Sequence, residues 1–252
     1  MKNPLQRGLK RVAHRFISPK LLKHQIALRN WRRGEIEIRY LRQLVSNDKA
    51  AIDVGAFLGA YTYFLSKLTP YVHAFEPQQS CCEFLRRAYT KQVTIYDCAL
   101  SNYEGVVAMR DGGGKQPNQG ASLSSGEKST ARHSAVNNVA DVTVRRLDDF
   151  ALENIGFIKI DAEGEETNVL EGAAETLRVN RPTLLIEIEQ RHRQGDIYDV
   201  FRDIEAKGYR GEFIIDNEFR SLTSFSVEHH QHARLAGDKS KPYINNFIFR
   251  PV

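Results

Sequence analysis

Short apolar runs punctuated by glycine or proline and followed by amphipathic stretches set the plan of this chain. The first run, residues 50 to 52, leads into D-V-G-A-F-L-G-A-Y-T at 53 to 62 and then a helical apolar stretch ending near Leu68. That order predicts a strand over 50 to 55, a glycine turn, and a helix from about residue 60 that Pro70 stops. A second strand is predicted over 71 to 76, a helix after Pro77 through Leu85 and Ala88, and a third strand in V-T-I-Y-D-C-A-L-S ending near Ala99. Further on, I-G-F-I-K-I-D and T-L-L-I-E-I-E read as two strands flanking a helix from about 165 to 177. A helix over 198 to 207, stopped by Gly208, leads to a last strand pair near 212 to 215 and 246 to 249. Strands alternating with helices predict a parallel sheet covered on both faces.

Two stretches depart from that alternation. Ile36, Tyr40, Leu41 and Leu44 recur at near-helical spacing and predict a helix ahead of the first strand. Residues 106 to 109 and the run from Val142 read as a β pair, and the polar segment of about 110 to 140 between them has the length of a lid or a disordered loop.

The chain has 252 residues with 41% hydrophobic content, enough for one substantial core. No apolar stretch approaches the roughly 20 residues that span a bilayer, and the N-terminus lacks a secretory apolar segment, so a soluble cytoplasmic protein is expected. Cys81, Cys82 and Cys98 have neither disulfide nor zinc spacing. The H-H-x-H cluster at 229 to 232 lacks a partner at ligand spacing and reads as a polar loop, so no metal is expected. Charge is uneven. Residues 1 to 45 carry twelve Lys or Arg against Glu35 and Glu37, a local balance of +10 in a chain of net +5. This basic extension, expected to be partly helical and to precede a domain over 46 to 252, suits an anionic partner such as a membrane surface, or else lies solvated over the domain.

Candidate chemistry collects at the predicted strand ends, where open α/β sheets bind ligands. Gly55 and Gly59 let the backbone turn sharply, and the following helix offers unpaired N–H groups to a negative group. The same glycines could instead serve close strand-to-helix packing. Glu76, at the end of the second run, is placed to accept both hydrogens of a ribose diol. A dinucleotide site needs a middle glycine that this turn lacks. S-adenosylmethionine keeps adenine and ribose and replaces the pyrophosphate with an amino-acid end, so it suits the turn better. Asp161 and Glu163 follow the fourth strand; one could orient a hydroxyl and the other accept its proton, unless they only complement a helix dipole. Glu187 and Glu189 lie two apart on a strand and share a face. His192 is either a base or a surface residue between Arg191 and Arg193.

These residues carry a resemblance. D-V-G-A-x-x-G-x-Y-T at 53 to 62, F-E-P at 75 to 77, A-L-S-N-x-x-G at 99 to 105, S-L at 122 to 123, L-D-D at 147 to 149, I-K-I-D-A-E-G-E-E at 158 to 166 and V-L-E-G-A at 169 to 173 resemble the FkbM-type methyltransferases, in matching order over about residues 36 to 215. The resemblance implies a Rossmann-like class I methyltransferase fold with a mostly parallel seven-stranded sheet. It also implies methyl transfer from S-adenosylmethionine to a hydroxyl of a sugar, glycan or other small acceptor. By the same resemblance Asp53, Gly55 and Gly59 would hold the methionine end, Glu76 the ribose, and the chain around Cys98 and Ala99 the adenine. Asp161 and Glu163 would sit beside the transferring methyl, with Glu187 a further acid-base candidate. Phe57 stands where the family commonly has Asn. Rival readings are a non-catalytic relative that binds an anionic surface, and a nucleic-acid methyltransferase; against the latter, no N-P-P-Y-type tetrapeptide is present.

Overall fold

The computed structural model describes residues 18–110, 139–238 and 240–252. The 110 to 140 segment and the first part of the basic extension therefore lie largely outside the described residues. Helix α1 (Pro19–Arg33) has proline in its first turn, where a missing N–H costs nothing, and Arg32 and Arg33 in its last turn, where they complement the dipole. A 3₁₀ turn (Ile36–Tyr40) running into a four-residue α turn (Leu41–Leu44) replaces the single helix expected there. Strand β1 (Ala50–Val54) then enters the core, followed by α2 (Ala60–Leu68), β2 (Val72–Phe75), α3 (Gln79–Ala88) and β3 (Val93–Tyr96). The expected third strand ends early. Asp97 and Cys98 break it, and β4 (Ala99–Leu100) leaves for a second sheet with β5 (Gly105–Arg110) and β6 (Val139–Arg145); the latter two are partners, as expected, and run antiparallel.

Strand β7 (Ile155–Ile160) returns to the main sheet and is followed by α4 (Glu166–Glu171) and α5 (Ala174–Asn180), which divide the helix expected over 165 to 177. Gly172 marks the division. A Cβ there would lie 2.0 Å from the Ser101 carbonyl oxygen, so this close approach excludes any side chain. Asp148 supports the second helix by accepting the N–H groups of Glu175 and Thr176 at 2.9 and 2.8 Å. The chain closes with β8 (Thr183–Glu187), α6 (Ile197–Ala206), β9 (Tyr209–Ile215), β10 (Glu218–Ser221) and β11 (Asn246–Pro251).

The main sheet has eight strands among the described residues, in the order β10-β9-β11-β8-β7-β1-β2-β3, one more than the seven expected. The five from β8 to β3 pair parallel; β11, β9 and β10 pair antiparallel. The added edge strand β10 has one apolar residue in four and turns back through Asp216 and Asn217, both at positive φ, a two-residue hairpin. Parallel strands buried on both sides are near-continuously apolar, as β1, β7 and β8 are. Ile52, Val54, Ile158, Ile160, Leu184 and Ile186 face one side toward α4 to α6; Ala51, Phe157 and Leu185 face the other, toward Leu65 and Leu44. The residues 229 to 232 are a helical turn rather than a loop: His230 is buried, its Nδ1 accepting the Ser226 N–H at 3.0 Å, because Phe213 and Phe225 pack on its ring.

Candidate active site

The strand order reverses between β1 and β7, with β2 and β3 on one side and β8 on the other. Such a switch point opens a crevice beyond the carboxyl ends of the strands. Here a cleft of about 380 Å³ occupies it, floored by Asp53, Lys159 and Asp161, bordered by the turn from Gly55 to Tyr61, and walled by Ile26, Arg29, Asn30 and Arg33 of α1.

The turn is set by backbone conformation. Gly55 and Gly59 have φ of +76° and +77°. A Cβ on Gly55 would lie 2.0 Å from the Asp161 carbonyl oxygen, and one on Gly59 would lie 2.8 Å from Leu85 Cδ2, so both glycines are required by packing of β1 on β7 and of the turn on α3. The conformation they permit then starts α2, whose first-turn N–H groups at Ala60 and Tyr61 have no backbone acceptor. Phe57 takes φ of +47°, and its N–H donates to Glu76 Oε2 at 2.7 Å, while Gln78 N–H donates to Oε1 at 2.7 Å. Glu76 thereby ties β2 to the turn. Burial pushes its pKa up to about 7 against the two N–H donors that favour the charged form.

Strand alternation places Asp53, Lys159, Asp161 and Glu187 on one face of the sheet. Lys159 is 1% exposed, and its Nζ lies 3.8 Å from Asp161 Oδ2 and 5.2 Å from the centre of the Tyr61 ring. Burial opposes its charge, but Asp161, Glu35, Glu187 and Asp53 together hold its pKa above the ordinary lysine value. Asp53 accepts the Thr62 hydroxyl at 2.5 Å, and burial raises its pKa to about 6. Glu187 accepts Asn245 Nδ2 at 2.7 Å; burial and then Asp161 push its pKa up to about 9. Tyr61 donates to Glu35 Oε2 at 2.5 Å, which brings the segment after α1 into the same network.

Of the three acid-base candidates, Asp161 lines the cleft, with its side chain 28% exposed, whereas Glu163 and Glu187 are not in its lining. Glu163 has φ of +50° and turns its carboxylate to 3.7 Å from His192 Nδ1. The arginines beside His192 are each paired, Arg191 with Glu189 and Arg193 with Glu166 at 2.8 Å, and Glu166 also accepts the Gly164 N–H. Glu189 is further engaged by the Tyr243 hydroxyl. Glu76, Cys98 and Ala99 are buried beyond β2 and β3 and are not among the residues lining the cleft; Cys82 Sγ donates to the Glu76 carbonyl oxygen at 2.9 Å. Sequence reasoning missed Lys159, Tyr61 and Glu35. A lysine inside I-K-I, two residues from Asp161 in an otherwise apolar strand, was the available signal for the first. Among the described residues no group of His, Cys, Asp or Glu could hold a metal ion, and no helix is long and apolar enough to cross a membrane.

The family model for the methyltransferase FkbM domain matches residues 53–210. Among solved structures, the chain is similar to the methyltransferase FkbM of Methylobacillus flagellatus KT, at 19% identity and a TM-score of 0.50 over 81% of this chain; it spans 44% of that chain. It is also similar to an rRNA methylase from Streptococcus thermophilus, at 11% identity and a TM-score of 0.46 over 86% of this chain and 95% of that one. A Streptococcus mutans protein solved in complex with SAH matches at 12% identity and a TM-score of 0.46 over 85% of this chain and 96% of that one. No curated protein matches the chain. With a family model covering the turn, the acid-rich strand ends and the helices between them, the chain belongs to the methyltransferase FkbM domain family.

Proposed function

We propose that this methyltransferase transfers the methyl of S-adenosylmethionine to a hydroxyl of a sugar, glycan or other small acceptor, in the cleft between β1 and β7. The observation that carries the reading is the position of Asp161, a carboxylate at the strand switch point that is open to the cleft while its neighbours Asp53, Lys159 and Glu187 are buried or bonded behind it.

The donor set fits the cofactor. The first-turn N–H groups of α2 suit its carboxylate, Asp53 its ammonium, and Glu76, already fixed by two N–H bonds, retains lone pairs for a ribose diol. Cys98 and Ala99, past β3, would border the adenine. Bound there, S-adenosylmethionine supplies a methyl that is electrophilic without further activation.

The protein's part is then to position a hydroxyl and take its proton. Asp161 is the acceptor for that proton. Lys159 beside it fixes the carboxylate, and Glu187, holding a proton at neutral pH, limits the negative charge behind it.

The test is S-adenosylhomocysteine release from a pool of sugar and glycan acceptors, with the product mass read for one added methyl. Release should require a hydroxylated acceptor. Asp161→Asn should keep its melting temperature while losing about 10²- to 10⁴-fold in turnover, the range for a general base. Unchanged turnover in the variant would remove Asp161 from the chemistry.

A further inference from the structure

Helix α1 faces two ways. Its inner side holds Ala27 buried and Lys23 donating to the Ala88 carbonyl oxygen at 2.7 Å, with the Lys23 ammonium 4.4 Å from the centre of the Tyr89 ring. One flank lends Arg29, Asn30 and Arg33 to the cleft. The outer side presents Leu21, Leu28 and Trp31, exposed by 54%, 47% and 47%. At about 100° per residue these three fall within an arc of roughly 80°. They are large apolar side chains on one short helix, and Lys20, Arg29 and Arg32 on the same exposed surface flank them. The Arg39 guanidinium lies 5.8 Å from the centre of the Trp31 ring, adding a further cation beside it.

We infer that this outer face of α1 is a docking surface for a bilayer carrying anionic headgroups. Three features converge. Apolar side chains that would sit at the headgroup boundary are ringed by Lys and Arg, the pattern of a helix lying in an interface plane. Tryptophan is the residue whose ring favours that depth. The charge is complementary, since residues 1 to 45 hold +10 while the rest of the chain is net negative and would be repelled. Each basic residue close to an anionic surface is worth about a five-fold gain in partitioning, so a handful suffices for stable but reversible attachment. Docked this way, the cleft flank with Arg29 and Arg33 adjoins the surface, and an acceptor held in the membrane meets the cleft without leaving it.

Trp31 is the one tryptophan of the chain, so its emission reports this face alone. The full-length protein is titrated with vesicles of phosphatidylglycerol and phosphatidylcholine in equal parts, and with phosphatidylcholine alone. The expected result is a blue shift with the mixed vesicles only, reversed by high salt. Leu21→Glu with Leu28→Glu should reduce partitioning at least about ten-fold, without loss of melting temperature because both positions are exposed. Equal binding to the two vesicles, binding to the mixed vesicles that the double variant leaves intact, or a shift that follows protein concentration in the absence of lipid would each overturn the inference. The last of these would show a second copy of the chain to be the occupant.

Discussion

Phe57 holds a left-handed backbone conformation, φ of +47°, that bulky side chains seldom adopt, and its ring joins none of the core clusters. What fixes it there is the N–H bond to Glu76 and the two glycines on either side. Such a residue stores on the order of 1 kcal/mol. Phe57→Asn, which tolerates the conformation, is therefore expected to raise the melting temperature by the equivalent of up to about 1 kcal/mol and to leave the turn intact; a clear fall would mean that the ring packs more than its surroundings suggest. At this scale the sequence was informative about backbone and silent about partners. Gly55, Gly59, Glu76 and Asp161 stood out because turn geometry and strand ends are local properties. The contacts that explain them are not: Gly55 is needed by Asp161, Gly59 by Leu85 and Tyr89, and Glu76 binds N–H groups on either side of it in sequence. Lys159 escaped because a lone cation in an apolar strand acquires meaning only when the acids of β1, β8 and residue 35 are placed around it.

Elements were legible where period and punctuation agree, as in β1, β7 and β8, and illegible where a tertiary contact decides. One apolar pattern spans α4 and α5, yet the carbonyl of Ser101 against Gly172 splits it, which also accounts for the glycine in V-L-E-G-A and the A-L-S-N run meeting at one point. The run from Val93 to Leu100 has strand composition on both sides of Asp97, yet only its first four residues stay in the main sheet, and Ala99 and Leu100 pair with β6. Helix α1 is the element with most at stake, since it walls the cleft yet anchors with a single fully buried side chain, Ala27. Ala27→Glu places an unpaired carboxylate in that contact. Hydrogen exchange should then accelerate through residues 19 to 33 while β1, β7 and β8 keep their protection, and S-adenosylmethionine affinity should fall because the cleft loses its wall. Uniform loss of protection would instead make α1 integral to the core.

Across the molecule, buried acids dominate the pH response. Burial, the largest cause in each case, raises Asp53 to about 6, Glu37 and Glu76 to about 7 and Glu187 to about 9. Glu189 opposes them, because Tyr243 and Arg191 outweigh its burial and hold it below the ordinary value. A carboxyl whose folded-state pKa is raised binds more protons folded than unfolded between the two values. Its contribution is thus fully present below about pH 4 and is lost as pH rises through about 6 to 9. The melting temperature should fall between pH 5.5 and 8.5, and Glu187→Gln should flatten the upper part of that fall; a melting temperature rising over the range would contradict the burial of these groups. Strand alternation could have shown that Asp53, Lys159 and Glu187 share a face, but that they converge depends on β7 lying between β1 and β8, which the chain order does not disclose. The proposal that S-adenosylmethionine binds at this switch point is tested most directly by calorimetry. The wild-type chain should bind S-adenosylmethionine with one-to-one stoichiometry and NAD not at all, and Glu76→Ala should weaken binding by about 1.5 to 3 kcal/mol, the range for hydrogen bonds to a charged partner. Binding of NAD alone, or S-adenosylmethionine affinity untouched in a folded Glu76→Ala variant, would contradict the assignment.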